Sequence, residues 1–126
     1  SSGGATRAHR QMVAYDTTKG GIEAFTRALA LDLAPWQIRV NALVPGAIAV
    51  ESRTPVGKES SVQPRDVIPL ARLGTTAEVS GAALYLASTD AAYVTGHILF
   101  IDGGLTAQLR SPAVDAWPDP DILSRI

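Results

Sequence analysis

Residues 12–33, MVAYDTTKGGIEAFTRALALDL, decide how this chain is read. Ile22, Phe25, Leu29 and Leu33 recur at spacings of three and four, the signature of one helix face. The spacing predicts a helix from about Met12 to Leu33 with those four residues as its buried stripe. Residues i and i+4 share a helix face, so Lys19 follows Tyr15 by one turn. An ammonium beside a phenol favours the ionised oxygen, and a phenol so assisted is a usable general acid or base. Ser2, thirteen positions before Tyr15, adds a hydroxyl. The three groups suit one reacting carbonyl: Ser2 holds its oxygen while Tyr15 gives or takes the proton. Gly20-Gly21 lowers helix propensity within the run, which predicts close packing there against a neighbour or ligand. Pro35 is expected to end the helix by moving its predecessor out of the α region.

Beyond the helix, Ile38 to Val44 is short and apolar and predicts a buried strand of a parallel sheet, stopped by Pro45-Gly46. Residues 47–73 hold Pro55, Pro64 and Pro69 among polar side chains and read as a long loop with short helical pieces. Thr75 and Glu78 fit a capping box opening a helix to about Ser88, with Val79, Ala82, Ala83 and Leu86 on its apolar face. A turn near Asp90 and a second strand from His97 to Ile101 follow, closed by a tight turn at Asp102-Gly103-Gly104. Residues 105–126 read as an irregular tail. Helix, strand, loop, helix, strand implies an α/β fold with a parallel sheet. Two strands and two helices make a poor core alone, so further strands are expected from elsewhere. The opening Ser1-Ser2-Gly3-Gly4, with no methionine and no strand ahead of it, reads as a start partway through a domain.

Composition narrows the function. The chain has 126 residues, 46% hydrophobic and 18% charged, with a formal net charge of −1 and no basic block. Nucleic acid and acidic membrane surfaces are therefore not expected partners. The absence of cysteine excludes disulfides, thiolate metal sites and cysteine nucleophiles. It fits a reducing, cytoplasmic setting. His9 and His97 lack metal-ligand spacing, so no metal is expected and both are assigned to the surface or to subunit contacts. Asn41 is read as a structural hydrogen-bonder, and Trp36 as a packing residue.

The ordered set of motifs resembles the short-chain dehydrogenase/reductase family. It comprises Ser2, Tyr15-Asp16-Thr17-Thr18-Lys19, Ile38-Arg39-Val40-Asn41, Pro45-Gly46-Ala47-Ile48, Leu70-Ala71-Arg72-Leu73-Gly74, and Gly96 through Asp102-Gly103-Gly104. The resemblance implies that residues 1–104 are the C-terminal portion of a Rossmann-like, doubly wound parallel sheet. It implies an NAD or NADP-dependent oxidoreductase interconverting an alcohol and a carbonyl, on the lines of a 3-oxoacyl carrier-protein reductase or a sugar or polyol dehydrogenase. Tyr15 would be the acid/base, and Lys19 would bind the nicotinamide ribose. Ser2 would orient the substrate, and Pro45, Gly46 and the Ile48 backbone would line the nicotinamide pocket. Residues 47–73 would cover the substrate. A homotetramer or dimer would form through the first helix and last strand. Thr18 replaces a common serine, and Val50 stands where the family often has a threonine. The glycine-rich turn that holds a pyrophosphate is not in this sequence. The alternative is a truncated, inactive fragment or interaction module.

Overall fold

The computed structural model describes residues 1–50 and 63–114. Helix α1 spans Val13–Leu33, with Met12 at its N-cap. Its buried residues are Glu23, Thr26 and Ala30, not the predicted stripe. Ile22 and Phe25 are exposed, while Leu29 and Leu33 are half-buried. The cause is what α1 meets. Ser1 Oγ lies 3.0 Å from the Lys19 carbonyl oxygen and 3.3 Å from Glu23 Oε1, its one hydrogen shared between these acceptors, so the N-terminal segment covers the Glu23 face. Thr26 tolerates burial because its hydroxyl donates to the Ile22 carbonyl one turn back, at 2.8 Å. The predicted close packing at Gly20-Gly21 is also corrected: a Cβ at either position would meet nothing within 4 Å.

Pro35 does not push its predecessor out of the helical region, since Ala34 keeps right-handed helical angles. The chain instead tightens into a 3-10 turn at Ala34–Trp36 and leaves through Gln37, whose φ is 58°. Trp36 is exposed, contrary to its assignment as a packing residue.

Strand β1 is Ala42–Pro45, shorter than the predicted Ile38 start. Residues 39–41 are bonded sideways into the segment before the second strand. Val40 N donates to Thr95 Oγ1 at 3.1 Å, and Gly96 N donates to the Val40 carbonyl at 2.7 Å. Asn41 has the structural role read from the sequence: its Nδ2 donates to the Val94 carbonyl, and its Oδ1 accepts from His97 N. Strand β2, Ile98–Ile101, runs parallel to β1 in the register Ala42↔Ile98 to Pro45↔Ile101.

Between the strands lie α2 (Pro64–Val67) and α3 (Thr76–Ala87). The capping box of α3 forms as expected, with Glu78 N donating to Thr75 Oγ1 at 3.2 Å and Thr75 N donating to Glu78 Oε2 at 2.8 Å. Val79, Ala82 and Leu86 form its inner face, while Ala83 is exposed. Arg39 closes the other end, donating to the carbonyls of Leu86 at 2.6 Å and Ser88 at 3.3 Å, where cationic donors suit a helix C-terminus. The small core holds Ala30, Ala42, Val44, Ile68 and Ala91.

The turn after β2 requires its glycines, because Gly103 and Gly104 have φ of 64° and 87°. Asp102 Oδ1 accepts from Gly104 N, and its Oδ2 accepts from the amide and hydroxyl of Thr106. Burial acts against ionisation there, but these bonds hold the carboxyl below its ordinary range. Of the expected cover over 47–73, residues 51–62 lie outside the described residues, as do 115–126 of the tail.

Candidate active site

The strands are parallel, so their carboxyl ends lie at one edge of the sheet, the usual ligand side in such folds. Ala42 and Gly46 donate to the carbonyls of His97 and Ile101, which turns the alternate Leu43 carbonyl to the opposite edge of β1. Ser1 N donates to that carbonyl at 2.7 Å. Ser1 is thus bonded to both β1 and α1, which fixes the chain immediately before Ser2. Ser2 caps a 3-10 turn at Gly3–Ala5, its Oγ accepting from Gly4 N at 3.4 Å. Accepting leaves the hydroxyl hydrogen available to a substrate oxygen.

On α1, the Lys19 ammonium lies 5.3 Å from the centre of the Tyr15 ring, within cation–π range. Among the described residues, no carboxylate pairs with Lys19. Tyr15 is 40% exposed, open enough to meet a substrate.

Sequence reasoning left His9 as a surface histidine, and the structure gives it more. Its ring meets Tyr15 edge-on, with centroids 6.2 Å apart and planes at 72°. Its Nδ1 is 2.8 Å from Asp16 Oδ1, and its main-chain N donates to Asp16 Oδ2 at 2.7 Å. The ring bond, then the amide bond, holds the Asp16 carboxyl below the usual carboxylate range. Gly4 is part of this clamp, because a Cβ there would collide with Asp16 Oδ1 and sit 2.8 Å from His9 Nδ1. The available signal was an acidic residue directly after the tyrosine, seven positions from a histidine.

The residues expected at a nicotinamide are at the carboxyl end of β1. Gly46 has a structural reason to lack a side chain: a Cβ would lie 2.7 Å from Asp102 Cα. Ile48 forms an isolated parallel bridge with Gly74, in which Gly74 N donates to Ala47 O and Ala49 N donates to Gly74 O. That pattern leaves the Ile48 amide without an acceptor among the described residues. An unbonded amide beyond a strand end fits a carboxamide acceptor.

Helix, strand, crossover helix and parallel strand, with Lys19 over the Tyr15 ring and the Ser1-Ser2 segment bonded to both α1 and β1, are the makings of part of a dinucleotide-binding fold. The chain belongs to the short-chain dehydrogenase/reductase family: residues 1–106 match the family described as enoyl-(acyl carrier protein) reductase. It is 50% identical over 95 residues to glucose 1-dehydrogenase 2 of Bacillus subtilis, covering 75% of this chain and 37% of that one. It superposes with a TM-score of 0.76 and 39% identity on 3-oxoacyl-[acyl-carrier protein] reductase from Brucella melitensis, covering 84% of this chain and 40% of that chain. A 3-ketoacyl-(acyl-carrier-protein) reductase from the same organism, complexed with NADH, gives 0.72 and 36% identity, with 84% and 42% covered. The chain therefore spans well under half the length of these relatives.

Proposed function

We propose that the protein carrying this chain is an NAD(P)-dependent oxidoreductase that interconverts an alcohol and a carbonyl, with Tyr15 as general acid/base. The observation that carries the reading is the Lys19 ammonium over the Tyr15 ring, unclaimed by any carboxylate among the described residues. A nicotinamide cofactor, when bound, supplies or accepts the hydride. This chain's residues handle the rest. Ser2 donates its hydroxyl hydrogen to the substrate oxygen. Tyr15 delivers the proton to that oxygen in reduction and removes it in oxidation. Lys19 would hold the ribose hydroxyls. The Ile48 amide would meet the carboxamide, with Pro45 and Gly46 behind it.

Residues 47–73 would cover the substrate. The reading places the protein in the cytoplasm and makes it a homotetramer or dimer. The exposed Phe25 on α1 and Phe100 on β2 supply apolar surface for subunit contact. Among the described residues, no helix is long and apolar enough to cross a membrane.

A second reading is favoured by how much apolar surface the two-stranded sheet leaves uncovered, Phe25 at 63% and Leu84 at 71% exposure among it. On that reading the 126-residue chain is by itself an inactive piece or interaction module. Titrating the chain with NADH and NADPH while following nicotinamide fluorescence separates the two. Saturable binding in the micromolar range contradicts the inactive reading. Binding that appears only when a relative's dinucleotide-binding half is joined to the chain supports it for the chain alone.

A further inference from the structure

Beside the acid/base pair lies a concavity of about 340 Å³ that the proposed chemistry has not used. Gly3, next to Ser2, and His9, edge-on to Tyr15, help to line it. Arg7 and Arg110 are among its lining residues, with the apolar Val67, Leu105 and Leu109. Among the described residues, no aspartate or glutamate lines it.

Arg7 is held in place. Its Nη2 donates to the Thr106 carbonyl at 2.7 Å and the Gln108 carbonyl at 2.6 Å. Those bonds orient the guanidinium without neutralising it, since carbonyls carry no net charge. A guanidinium has five N–H donors, so donors on Nε and Nη1 remain for an anion. Among the described residues, neither Arg7 nor Arg110 pairs with a carboxylate. Of the carboxylates that bond its lining residues, Asp16 is engaged by His9, and Asp102 by Gly104 and Thr106. Two arginines without a carboxylate partner among the described residues therefore line a concavity that also takes in Gly3 and His9, the neighbours of Ser2 and Tyr15.

We propose that this concavity receives the anionic end of the substrate, a hydroxy or carbonyl compound ending in a carboxylate or phosphate. This rests on the oxidoreductase reading and sharpens it: Arg7 and Arg110 select such a compound over a neutral sugar or polyol. The apolar wall accommodates the carbon chain between the reacting carbon and the anion. Forked, charge-assisted bonds to a carboxylate or phosphate give the discrimination.

The test is a titration of the full 126-residue chain, followed by NMR at the arginine side chains and at His9. The probes are 3-hydroxybutyrate, glycerol 3-phosphate and neutral 1,3-butanediol. Either anion is expected to bind roughly tenfold or more tighter than the diol, shifting Arg7, His9 and Arg110 together. The stronger of the two identifies carboxylate or phosphate. Raised salt should weaken the anion but not the diol. Arg110→Gln, an exposed position, should cut the anion-to-diol ratio by roughly tenfold. Equal binding of diol and anions, a salt-insensitive ratio, or shifts confined to other residues would overturn the proposal. The titration involves no nicotinamide, so the two readings fail separately. Anion binding here without any NADH binding supports the site and counts against the oxidoreductase reading. NADH-dependent turnover indifferent to the anionic group overturns the anion site alone.

Discussion

Asp16 holds His9 at two points, the ring Nδ1 at 2.8 Å and the main-chain N at 2.7 Å, and so fastens the N-terminal segment to the helix that carries Tyr15. The same carboxylate sits where Gly4 leaves room for it. One side chain thus fixes the loop bearing Ser2 relative to the residue that would move the proton.

Asp16→Ala should release that loop. Hydrogen exchange at the His9 amide is expected to accelerate by roughly tenfold or more, because its acceptor is gone. Exchange within the second half of α1 should stay unchanged. Protection at His9 that survives the substitution would contradict the clamp.

The Arg72–Glu78 pair gives a pH prediction with a definite sign. The Arg72 guanidinium, then the amide and hydroxyl of Thr75, hold the Glu78 carboxyl down at about 2. The contacts are Arg72 Nη2 to Oε1 at 2.6 Å and Nη1 to Oε2 at 3.0 Å. A depressed folded-state value means that the stabilising contribution is fully present above the unfolded carboxylate range, near ~4.3. It is lost as pH falls from there toward about 2. Carboxyl-carbon NMR should show Glu78 titrating near that lower value in the native chain and higher in Arg72→Gln, though still below the ordinary range because the Thr75 bonds remain. An ordinary titration in the unsubstituted chain would contradict the pairing.

Gly46→Ala should destabilise the strand crossing, since the new Cβ would stand 2.7 Å from Asp102 Cα and 2.8 Å from its Cβ. Overpacking of this kind costs about 1–3 kcal/mol. A lower urea midpoint is expected, and an unchanged midpoint would show that the backbone gives way freely. Gly20→Ala, with nothing within 4 Å of its Cβ, should instead stabilise α1 by about 1 kcal/mol through helix propensity.

Legibility in the sequence followed the range of the forces involved. The extent of α1, the Thr75–Glu78 cap and the tight turn at Asp102-Gly103-Gly104 rest on local pattern and were readable, and the parallel pairing followed from the alternation of helix and strand. The buried face of α1 was not. Ile22 and Phe25 satisfy the helical period, yet burial depends on what covers a face, and here Ser1 covers Glu23 instead. The start of β1 was overestimated because Val40 and Asn41 are engaged by Val94, Thr95 and Gly96, contacts that cross more than fifty positions. Tyr15, Lys19 and Ser2 could be named from spacing and family pattern. His9 could not, since its place depends on a loop folding back onto Asp16.

Lys19→Met should remove the cation above the Tyr15 ring while leaving α1 intact. In the chain joined to a relative's dinucleotide-binding half, both NADH affinity and turnover are expected to fall. Unchanged affinity and turnover would assign Lys19 to the surface alone.

The central claim is that Tyr15 moves the proton, and one substitution tests it most directly. In the same joined protein, NADH-dependent carbonyl reduction should drop roughly 100- to 10,000-fold in Tyr15→Phe, with NADH affinity retained. A Tyr15→Phe protein that keeps most of its rate would contradict the account.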